Sequence, residues 1–239
     1  MRAELLSYPI DPQLKNAAIL ASYALFKQDF LMQKVHEIVE KYKNDNSPLP
    51  ALFEGPFRNE REAENAVVEA GAAIADMGYT NTVFGNVSAV FNGKLYISAT
   101  GSNLKNLKNE IAFCNMEGDS LNKLKPSVEL PSHLEIVKQT DSLCILHAHP
   151  FFTIVYTMIE GVGKSIFKTP VVGGDVGGGD NGIVKTVPFA LKNFNTVAVY
   201  AHGVFASDPV DFNKPLRNIM HLEHLCRTKY IENYLIKTT

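Results

Sequence analysis

Long apolar runs are absent from this chain of 239 residues. No stretch approaches the roughly 18 uninterrupted apolar residues that a membrane span requires, so we expect neither transmembrane helices nor a membrane partner. The first residues also lack an apolar run followed by a small-residue cleavage site, which argues against a secretory signal. These two absences together predict a cytoplasmic protein.

Clustered positive charge and paired cysteines are missing as well. The chain has 23 Lys and Arg residues against 25 Asp and Glu residues, without a basic tract. Nucleic-acid binding depends on a concentrated positive surface, so we expect no nucleic-acid partner. Cys114, Cys144 and Cys226 are far apart and form no CxxC pair, which excludes a disulfide framework or a cysteine zinc site. They are predicted to be small buried apolar residues.

The N-terminal third of the chain has a helical pattern. Apolar residues recur at three- and four-residue steps between Asp11 and Tyr42, which predicts two helices. Residues 44–58 are rich in Pro, Asn and Ser and predict an irregular connection. Residues 59–77 predict an amphipathic helix capped by Asn59. We interpret residues 1–60 as a helical extension packed on a main domain of residues 61–239.

The main domain mixes strands and helices. Residues 86–90 and 94–98 alternate with period two around an Asn-Gly pair, the usual sign of a β-hairpin. Leu143–Leu146 and Val197–Tyr200 are short apolar runs typical of buried strands, and Leu216–Leu235 predicts a long closing helix. This order indicates an α/β or α+β domain in which helices cover the faces of a sheet.

Three histidines follow the two predicted buried strands. His147 and His149 come at the end of the first, and residues two apart on a strand project from the same face. His202 follows the second strand. Two strands that each end in histidine can supply three nitrogen ligands at one sheet edge and leave a coordination position open, as catalytic metal sites do.

A carboxylate near such a site could bind the metal and also act as general base. Glu129, which lies eighteen residues before His147, is one candidate, and Glu135 is the other. The periodicity of the sequence does not distinguish between them.

Two short clusters, Gly85–Ser88 and Ala99–Ser102, combine glycine, amide and hydroxyl groups. Such turns can bind an anion such as phosphate, although ordinary turn chemistry is the favoured interpretation of these residues taken alone. The glycine-rich residues 172–182 contain a GxGxxG pattern, but two aspartates would repel a pyrophosphate and no strand-to-helix transition is evident, so we expect no dinucleotide site.

The remaining histidines have simpler interpretations. His221 and His224 lie one turn apart on the closing helix, where a second metal site is conceivable but a surface or interface position is favoured. His133 is predicted on the helix that begins after Pro131, and His36 on the N-terminal helices. Both are interpreted as structural.

The order of these motifs resembles the class II aldolase/adducin family, and within it the L-fuculose-1-phosphate and L-rhamnulose-1-phosphate aldolases. The resemblance extends from about Glu62 to Leu235. It is carried by Gly85-Asn86-x-Ser88, Thr100-Gly101, Pro126-Ser127-x-Glu129, His147-x-His149 and His202-Gly203.

The resemblance implies a three-layer α/β/α fold around a largely antiparallel sheet, and a homotetramer with active sites between subunits. It implies zinc, or alternatively manganese, iron or cobalt, bound by His147, His149 and His202. Glu129 matches the catalytic carboxylate, which alternates between binding the metal and moving a proton. The positions that match the phosphate site are Gly85, Asn86, Thr100, Gly101 and Ser127.

The implied reaction is reversible cleavage of a ketose 1-phosphate into dihydroxyacetone phosphate and an aldehyde through a metal-stabilised enediolate. Val128 stands where these aldolases carry a second serine, and no tyrosine occurs in residues 169–182, where their proton donor falls. Tyr230 or Tyr234 of a neighbouring subunit could replace that donor. An epimerase or decarboxylase using the same metal site is therefore an alternative. A non-catalytic adducin-like binding protein is a third hypothesis, but such members typically lack the ligand set.

Overall fold

The computed structural model describes residues 12–42, 48–80, 84–174 and 179–235. Helices and strands alternate along most of this described part of the chain. In order, they are α1 (Pro12–Phe26), α2 (Met32–Tyr42), α3 (Glu60–Asp76), β1 (Asn86–Phe91), β2 (Lys94–Ser98), β3 (Ile111–Cys114), α4 (Leu130–Gln139), β4 (Cys144–Ala148), α5 (Phe151–Glu160), β5 (Ser165–Ile166), β6 (Thr169–Val172), α6 (Ile183–Leu191), β7 (Thr196–Val199), β8 (Gly203–Asp208) and α7 (Asn213–Tyr234).

The strands form one sheet in the order β3-β2-β1-β4-β8-β7-β6-β5. Neighbouring strands are antiparallel except for β6 and β7, which are parallel and are connected through α6. The predicted hairpin is confirmed as β1 and β2, and Asn92 and Gly93 at its turn both have positive φ. The largely antiparallel sheet expected from the resemblance is also confirmed.

Side chains alternate between the two faces of this sheet. On β4, Leu146 packs on the face covered by α3, α5 and α7, whereas Ile145 packs on the opposite face against α4 and α6. Phe205 on β8 belongs to the second face and Ala206 to the first. Because β4 and β8 are apolar on both sides, helices must cover both faces of the sheet to shield these strands from water. The result is the expected three-layer α/β/α arrangement.

The predicted N-terminal helices are present as α1 and α2. Aromatic stacking of Tyr42 on Phe151, with ring centroids 4.0 Å apart, joins α2 to α5. The Tyr230 hydroxyl donates to the Leu20 carbonyl at 2.8 Å and joins α7 to α1. The Asn59 cap is confirmed, since its side chain accepts from the backbone N–H of Glu62 at 3.0 Å. The division into residues 1–60 and 61–239 stays a prediction.

Several element bounds differ from those predicted. Strand β4 starts one residue later than expected and continues to Ala148, while Leu143 lies outside it and is 39% exposed. The expectation that no strand-to-helix transition surrounds the glycine-rich stretch is wrong, because β6 precedes it and α6 follows it. Residues 175–178 of that stretch lie outside the described residues.

All three cysteines are buried and free, as predicted. None of the helices in the described ranges combines the length and apolarity that crossing a bilayer requires.

Candidate metal centre

Three elements bring the predicted histidines together. His147 lies in β4, His149 follows directly after this strand, and His202 lies in the turn between β7 and β8. Strand β8 pairs with β4, so this turn comes to the end of β4 that carries the HxH motif. His147 Nε2 lies 3.0 Å from His149 Nε2 and 3.1 Å from His202 Nε2. Among the described residues, this is the only group of three or more candidate ligands found close enough to hold one metal ion.

Gly203 makes this close approach possible. A Cβ atom there would lie 2.5 Å from the Ala148 carbonyl oxygen, 2.9 Å from His149 Cδ2 and 3.0 Å from His147 Cε1. Such distances are too short for any side chain. The glycine that follows His202 therefore has a steric function at the centre itself, which the sequence did not reveal.

The protonation state of His147 suits a metal ligand. Its Nδ1 lies 3.1 Å from the Val204 carbonyl, which can only accept, so Nδ1 carries the proton and Nε2 carries a lone pair. Burial lowers the pKa of His147 well below its usual value and keeps the ring neutral at neutral pH. Because the Nε2 atoms of His149 and His202 lie so near this lone pair, a cation among them would be favourable. Three imidazole nitrogens are a ligand set that fits a transition-metal cation.

Glu129 completes the centre. Its Oε1 lies 3.2 Å from His202 Nε2, its Oε2 lies 3.5 Å from His147 Nε2, and the side chain is only 13% exposed. Asn86 Nδ2 donates to Oε2 at 2.8 Å. Burial raises the pKa of Glu129, but its interactions with the rings of His147 and His202 and the hydrogen bond from Asn86 outweigh it and hold the pKa below its usual range. The group is therefore a carboxylate at neutral pH.

The structure distinguishes Glu129 from Glu135 as the carboxylate near the histidines, a choice that the sequence left open. Glu129 is the N-cap residue of α4, where the chain turns toward the histidines. Glu135 lies further along the same helix and pairs with Lys138 at 3.1 Å on the surface. Of the two candidates, only Glu129 is close to the histidines.

The residues that match the phosphate site lie in segments next to Glu129. An antiparallel bridge between Ala99 and Pro126 joins the two segments, with the Thr100 N–H bonded to the Lys125 carbonyl at 2.9 Å and the Ser127 N–H to the Ser98 carbonyl at 3.1 Å. The Ser127 hydroxyl oxygen accepts from the Glu129 backbone N–H at 3.3 Å. These segments are therefore assembled, while their binding of phosphate stays a prediction.

Gly85 and Asn86 reach the same region by β1. A Cβ atom on Gly85 would lie 2.7 Å from the His147 carbonyl oxygen, so this position needs glycine. The Asn86 side chain is 4% exposed, and its two polar atoms contact Glu129 and His133. Glu129 therefore takes one N–H of the Asn86 amide, and any contact of Asn86 with phosphate would use the second N–H or the backbone.

Tyr230 and Tyr234 do not meet the histidines within the chain. Tyr230 is fully buried and its hydroxyl is bonded to Leu20, which disfavours it as a proton donor. Tyr234 packs against the Tyr230 ring with centroids 4.9 Å apart. Tyr234 is only partly buried. Its contribution to a neighbouring subunit stays a prediction.

His133 is the residue whose surroundings the sequence did not indicate. It lies on α4 as expected, but it is fully buried and hydrogen-bonded to Ser88 and Asn86. Burial lowers its pKa to about 4, so its ring is neutral at neutral pH. Its spacing of four residues from Glu129 was the available signal, because such residues share one face of a helix. His221 and His224, in contrast, are both exposed on α7.

The fold is a largely antiparallel sheet between two helical layers, and three histidines and a carboxylate meet at one end of its strands. This combination of fold and site defines the class of protein. Residues 65–230 match the family model of the class II aldolase and adducin N-terminal domain. The chain is therefore a member of the class II aldolase and adducin family. No curated protein shows a significant sequence match to it.

Solved structures share this fold. YgbL of Klebsiella pneumoniae, a candidate aldolase, epimerase or decarboxylase, has a TM-score of 0.65 and 20% identity, over 74% of this chain and 93% of its own. L-fuculose-1-phosphate aldolase of Thermus thermophilus has a TM-score of 0.59 and 17% identity, and the match covers 74% of this chain and 97% of the aldolase. A class II aldolase domain of Thermoplasma acidophilum has a TM-score of 0.60 and 16% identity, and the match covers 77% of this chain and 100% of that domain. At such identities the similarity shows the fold alone.

Proposed function

We propose that the protein is a metal-dependent aldehyde-lyase that cleaves a small ketose 1-phosphate reversibly into dihydroxyacetone phosphate and an aldehyde. The observation that carries this proposal is the convergence of His147, His149 and His202, with Glu129 Oε1 3.2 Å from His202. A three-histidine set with an adjacent carboxylate is suited to proton transfer next to a bound cation. Membership of the family supports a lyase or a related enzyme.

Zinc is the proposed metal, with manganese, iron or cobalt as alternatives. His147, His149 and His202 would hold it through their Nε2 atoms. When bound, the cation would polarise the carbonyl and hydroxyl oxygens of the substrate and so favour loss of a proton from the adjacent carbon.

Glu129 would hold the transferred proton. Its Oε2 accepts from Asn86, whereas its Oε1 faces His202, whose side chain is 23% exposed and so lies toward the entrance of the site. Oε1 is therefore the oxygen that would take the proton from the dihydroxyacetone phosphate carbon in synthesis and return it in cleavage.

The substrate phosphate would bind at the turns that surround Glu129. Backbone N–H groups and small hydroxyls at such turns are suited to an anion. The proposed contacts are Gly85, Asn86, Thr100, Gly101 and Ser127. The protein would act as a homotetramer in which Tyr234 of a neighbouring subunit supplies the second proton donor.

An epimerase or decarboxylase that uses the same centre is the second candidate. Val128 favours it, because an apolar side chain that is 52% exposed stands next to Ser127, where the sugar-phosphate aldolases carry a further hydroxyl. The absence of a tyrosine from residues 169–182 favours it too. Both reactions would use the same cation and the same carboxylate.

Metal analysis combined with an assay of dihydroxyacetone phosphate release tests the proposal. Purified protein is analysed for metal and then offered a panel of ketose 1-phosphates, with His147→Ala as the control. Stoichiometric metal and release that the substitution abolishes are the expected result. Metal without release would favour the second candidate, and absence of metal would contradict both enzyme assignments.

A further inference from the structure

A chain of hydrogen bonds runs from Glu129 into the interior, away from the histidine centre. Glu129 Oε2 is bonded to Asn86 Nδ2 at 2.8 Å, Asn86 Oδ1 is bonded to His133 Nε2, and His133 Nδ1 is bonded to Ser88 Oγ at 2.6 Å. Asn86 is 4% exposed, and His133 and Ser88 are fully buried. Because bulk water does not reach these groups, each of them depends on its neighbour for a partner.

Two elements of the fold build this chain. Asn86 and Ser88 lie two residues apart on β1, so both side chains project from the face of the sheet that α4 covers. Glu129 occupies the N-cap position of α4 and His133 lies one turn later, so both belong to the same end of that helix. The four groups therefore alternate between strand and helix, and they meet only when α4 is docked on the sheet.

The chemistry of the groups fixes the direction of every bond. A carboxylate only accepts, so Asn86 turns its NH₂ group to Glu129 and its Oδ1 to His133. Oδ1 also only accepts, so His133 must carry its proton on Nε2. A neutral ring then has a bare Nδ1, to which the Ser88 hydroxyl donates. All three bonds thus donate toward Glu129.

We propose that His133 and Ser88 are positioning residues, which lock the Asn86 amide with its NH₂ group aimed at Oε2 of Glu129. The inference rests on the proposed proton-transfer role of Glu129. Without the His133 donor, the amide could rotate and present its oxygen to the carboxylate, which is repulsive. With Oε2 held, Oε1 remains oriented toward the histidines.

The tautomer of His133 tests this inference without any substrate. Nitrogen-15 NMR of the metal-free protein should show the His133 ring with its proton on Nε2 and none on Nδ1. A proton on Nδ1 would reverse the direction of the chain and overturn the proposal. This measurement does not depend on which reaction the protein catalyses.

Matched variants test the consequence for turnover. His133→Leu removes the donor to Asn86, whereas His133→Gln retains an N–H donor near the Nε2 position. With the ketose 1-phosphate that the panel identifies, we expect kcat to fall by about 10- to 100-fold in His133→Leu, with KM changed less than about threefold and zinc content retained. His133→Gln should recover most of the loss.

Ser132→Ala is the matched control. Ser132 neighbours His133 on α4 and is 1% exposed, and its hydroxyl has no hydrogen-bond partner among the described residues. Its loss should leave kcat unchanged. If His133→Leu does not fold, Ser88→Ala is the milder test and should lower kcat several-fold.

Two kinetic results would overturn the proposal. One is a kcat in His133→Gln no higher than that in His133→Leu, and the other is a loss of kcat in Ser132→Ala as large as that in His133→Leu. If no ketose 1-phosphate is turned over, the proposed function fails, and the tautomer alone then decides the inference.

Discussion

Glu129 and Glu223 are both buried carboxylates, but their partners differ in kind. Glu223 lies on α7 and accepts from the backbone N–H groups of Phe152 and Thr153 at 2.8 and 2.7 Å, and from the Thr153 hydroxyl at 2.8 Å. Its hydrogen-bond donors are therefore groups at the start of helix α5, held in place by the fold. Glu129 faces imidazole nitrogens at 3.2 and 3.5 Å, which can exchange a proton or bind a cation.

The surroundings of the two carboxylates also shift their pKa values in opposite directions. Burial raises the pKa of Glu223, and the hydrogen bonds to α5 and the charge of Arg227 do not fully offset it. At Glu129, the interactions with His147, His202 and Asn86 outweigh burial and lower the pKa. Burial alone therefore does not identify a functional carboxylate, whereas the nature of its partners does.

The role of Glu223 is structural but close to the site. Pro150, the N-cap residue of α5, provides no side-chain cap, so Glu223 supplies the cap from another helix. Because α5 starts two residues after His149, this cap fixes the point at which the chain leaves the histidine centre. The comparison predicts that replacing Glu129 lowers kcat, whereas replacing Glu223 lowers the free energy of unfolding.

The largest expected effect is that of Glu129→Gln on turnover. The amide cannot accept the transferred proton, so kcat should fall about 10³-fold, within the range of general acid–base contributions. Zinc content should persist, because His147, His149 and His202 remain. Steady-state kinetics and elemental analysis measure both quantities. Glu135→Gln on the exposed part of α4 is the control, and full turnover in Glu129→Gln would remove the proposed distinction between the two buried glutamates.

A second effect concerns the stability of the metal-free protein in acid. His133 has a pKa of about 4 in the folded protein, against an ordinary value of 6.5. The unfolded chain therefore takes up a proton between these values while the folded chain does not, and stability falls as the pH falls through this window. The loss should reach about 3 kcal/mol at roughly 1.4 kcal/mol per pH unit.

Urea unfolding at pH 7, 5.5 and 4 measures this dependence in the wild type and in His133→Gln. The substitution should remove this part of the pH dependence, whatever it does to stability at pH 7. His36→Gln, on the exposed surface of α2, is the control. Parallel pH profiles for wild type and His133→Gln would show that the neutral buried ring is not the cause.

Gly203→Ala tests the packing of the histidine centre. The added Cβ would meet the Ala148 carbonyl and the rings of His147 and His149 within 3.0 Å, so the rings must separate. Zinc affinity should fall by about 10- to 100-fold, the usual effect of disturbing the surroundings of metal ligands. Competitive chelator titration measures it. Gly179→Ala is the control because nothing lies within 4 Å of that position, and equal zinc affinity in both variants would contradict the steric argument.

Local patterns predicted the parts of the site that depend on local geometry. The spacing of His147 and His149 placed both rings on one face, and the Asn92-Gly93 turn located the hairpin. Both of these predictions succeeded because strand periodicity and turn chemistry act over a few residues. The three-layer fold was instead implied by the resemblance to the class II aldolase/adducin family.

Long-range contacts were not predictable in the same way. His133 and Asn86 are 47 positions apart, and only the docking of α4 on β1 makes them neighbours. Glu129 could not be separated from Glu135, because the difference depends on where α4 begins relative to the histidines. The cap that Glu223 provides to α5 spans 71 positions and carries no sequence signature.

The smallest expected effect tests the structural member of the pair. Glu223→Gln keeps one acceptor oxygen but turns an NH₂ group toward donors of α5, so the free energy of unfolding should fall by about 1–2 kcal/mol. Zinc content and kcat per folded molecule should stay within about twofold of wild type, because no atom of Glu223 faces the histidines. Urea unfolding at pH 7 measures the free energy of unfolding, and kinetics at low temperature measure kcat. Glu232→Gln, which affects only an exposed pair with Lys229 on the same helix, is the control. A loss of turnover as large as that of Glu129→Gln, in protein that remains folded, would mean that the cap on α5 shapes the catalytic geometry as well as the stability.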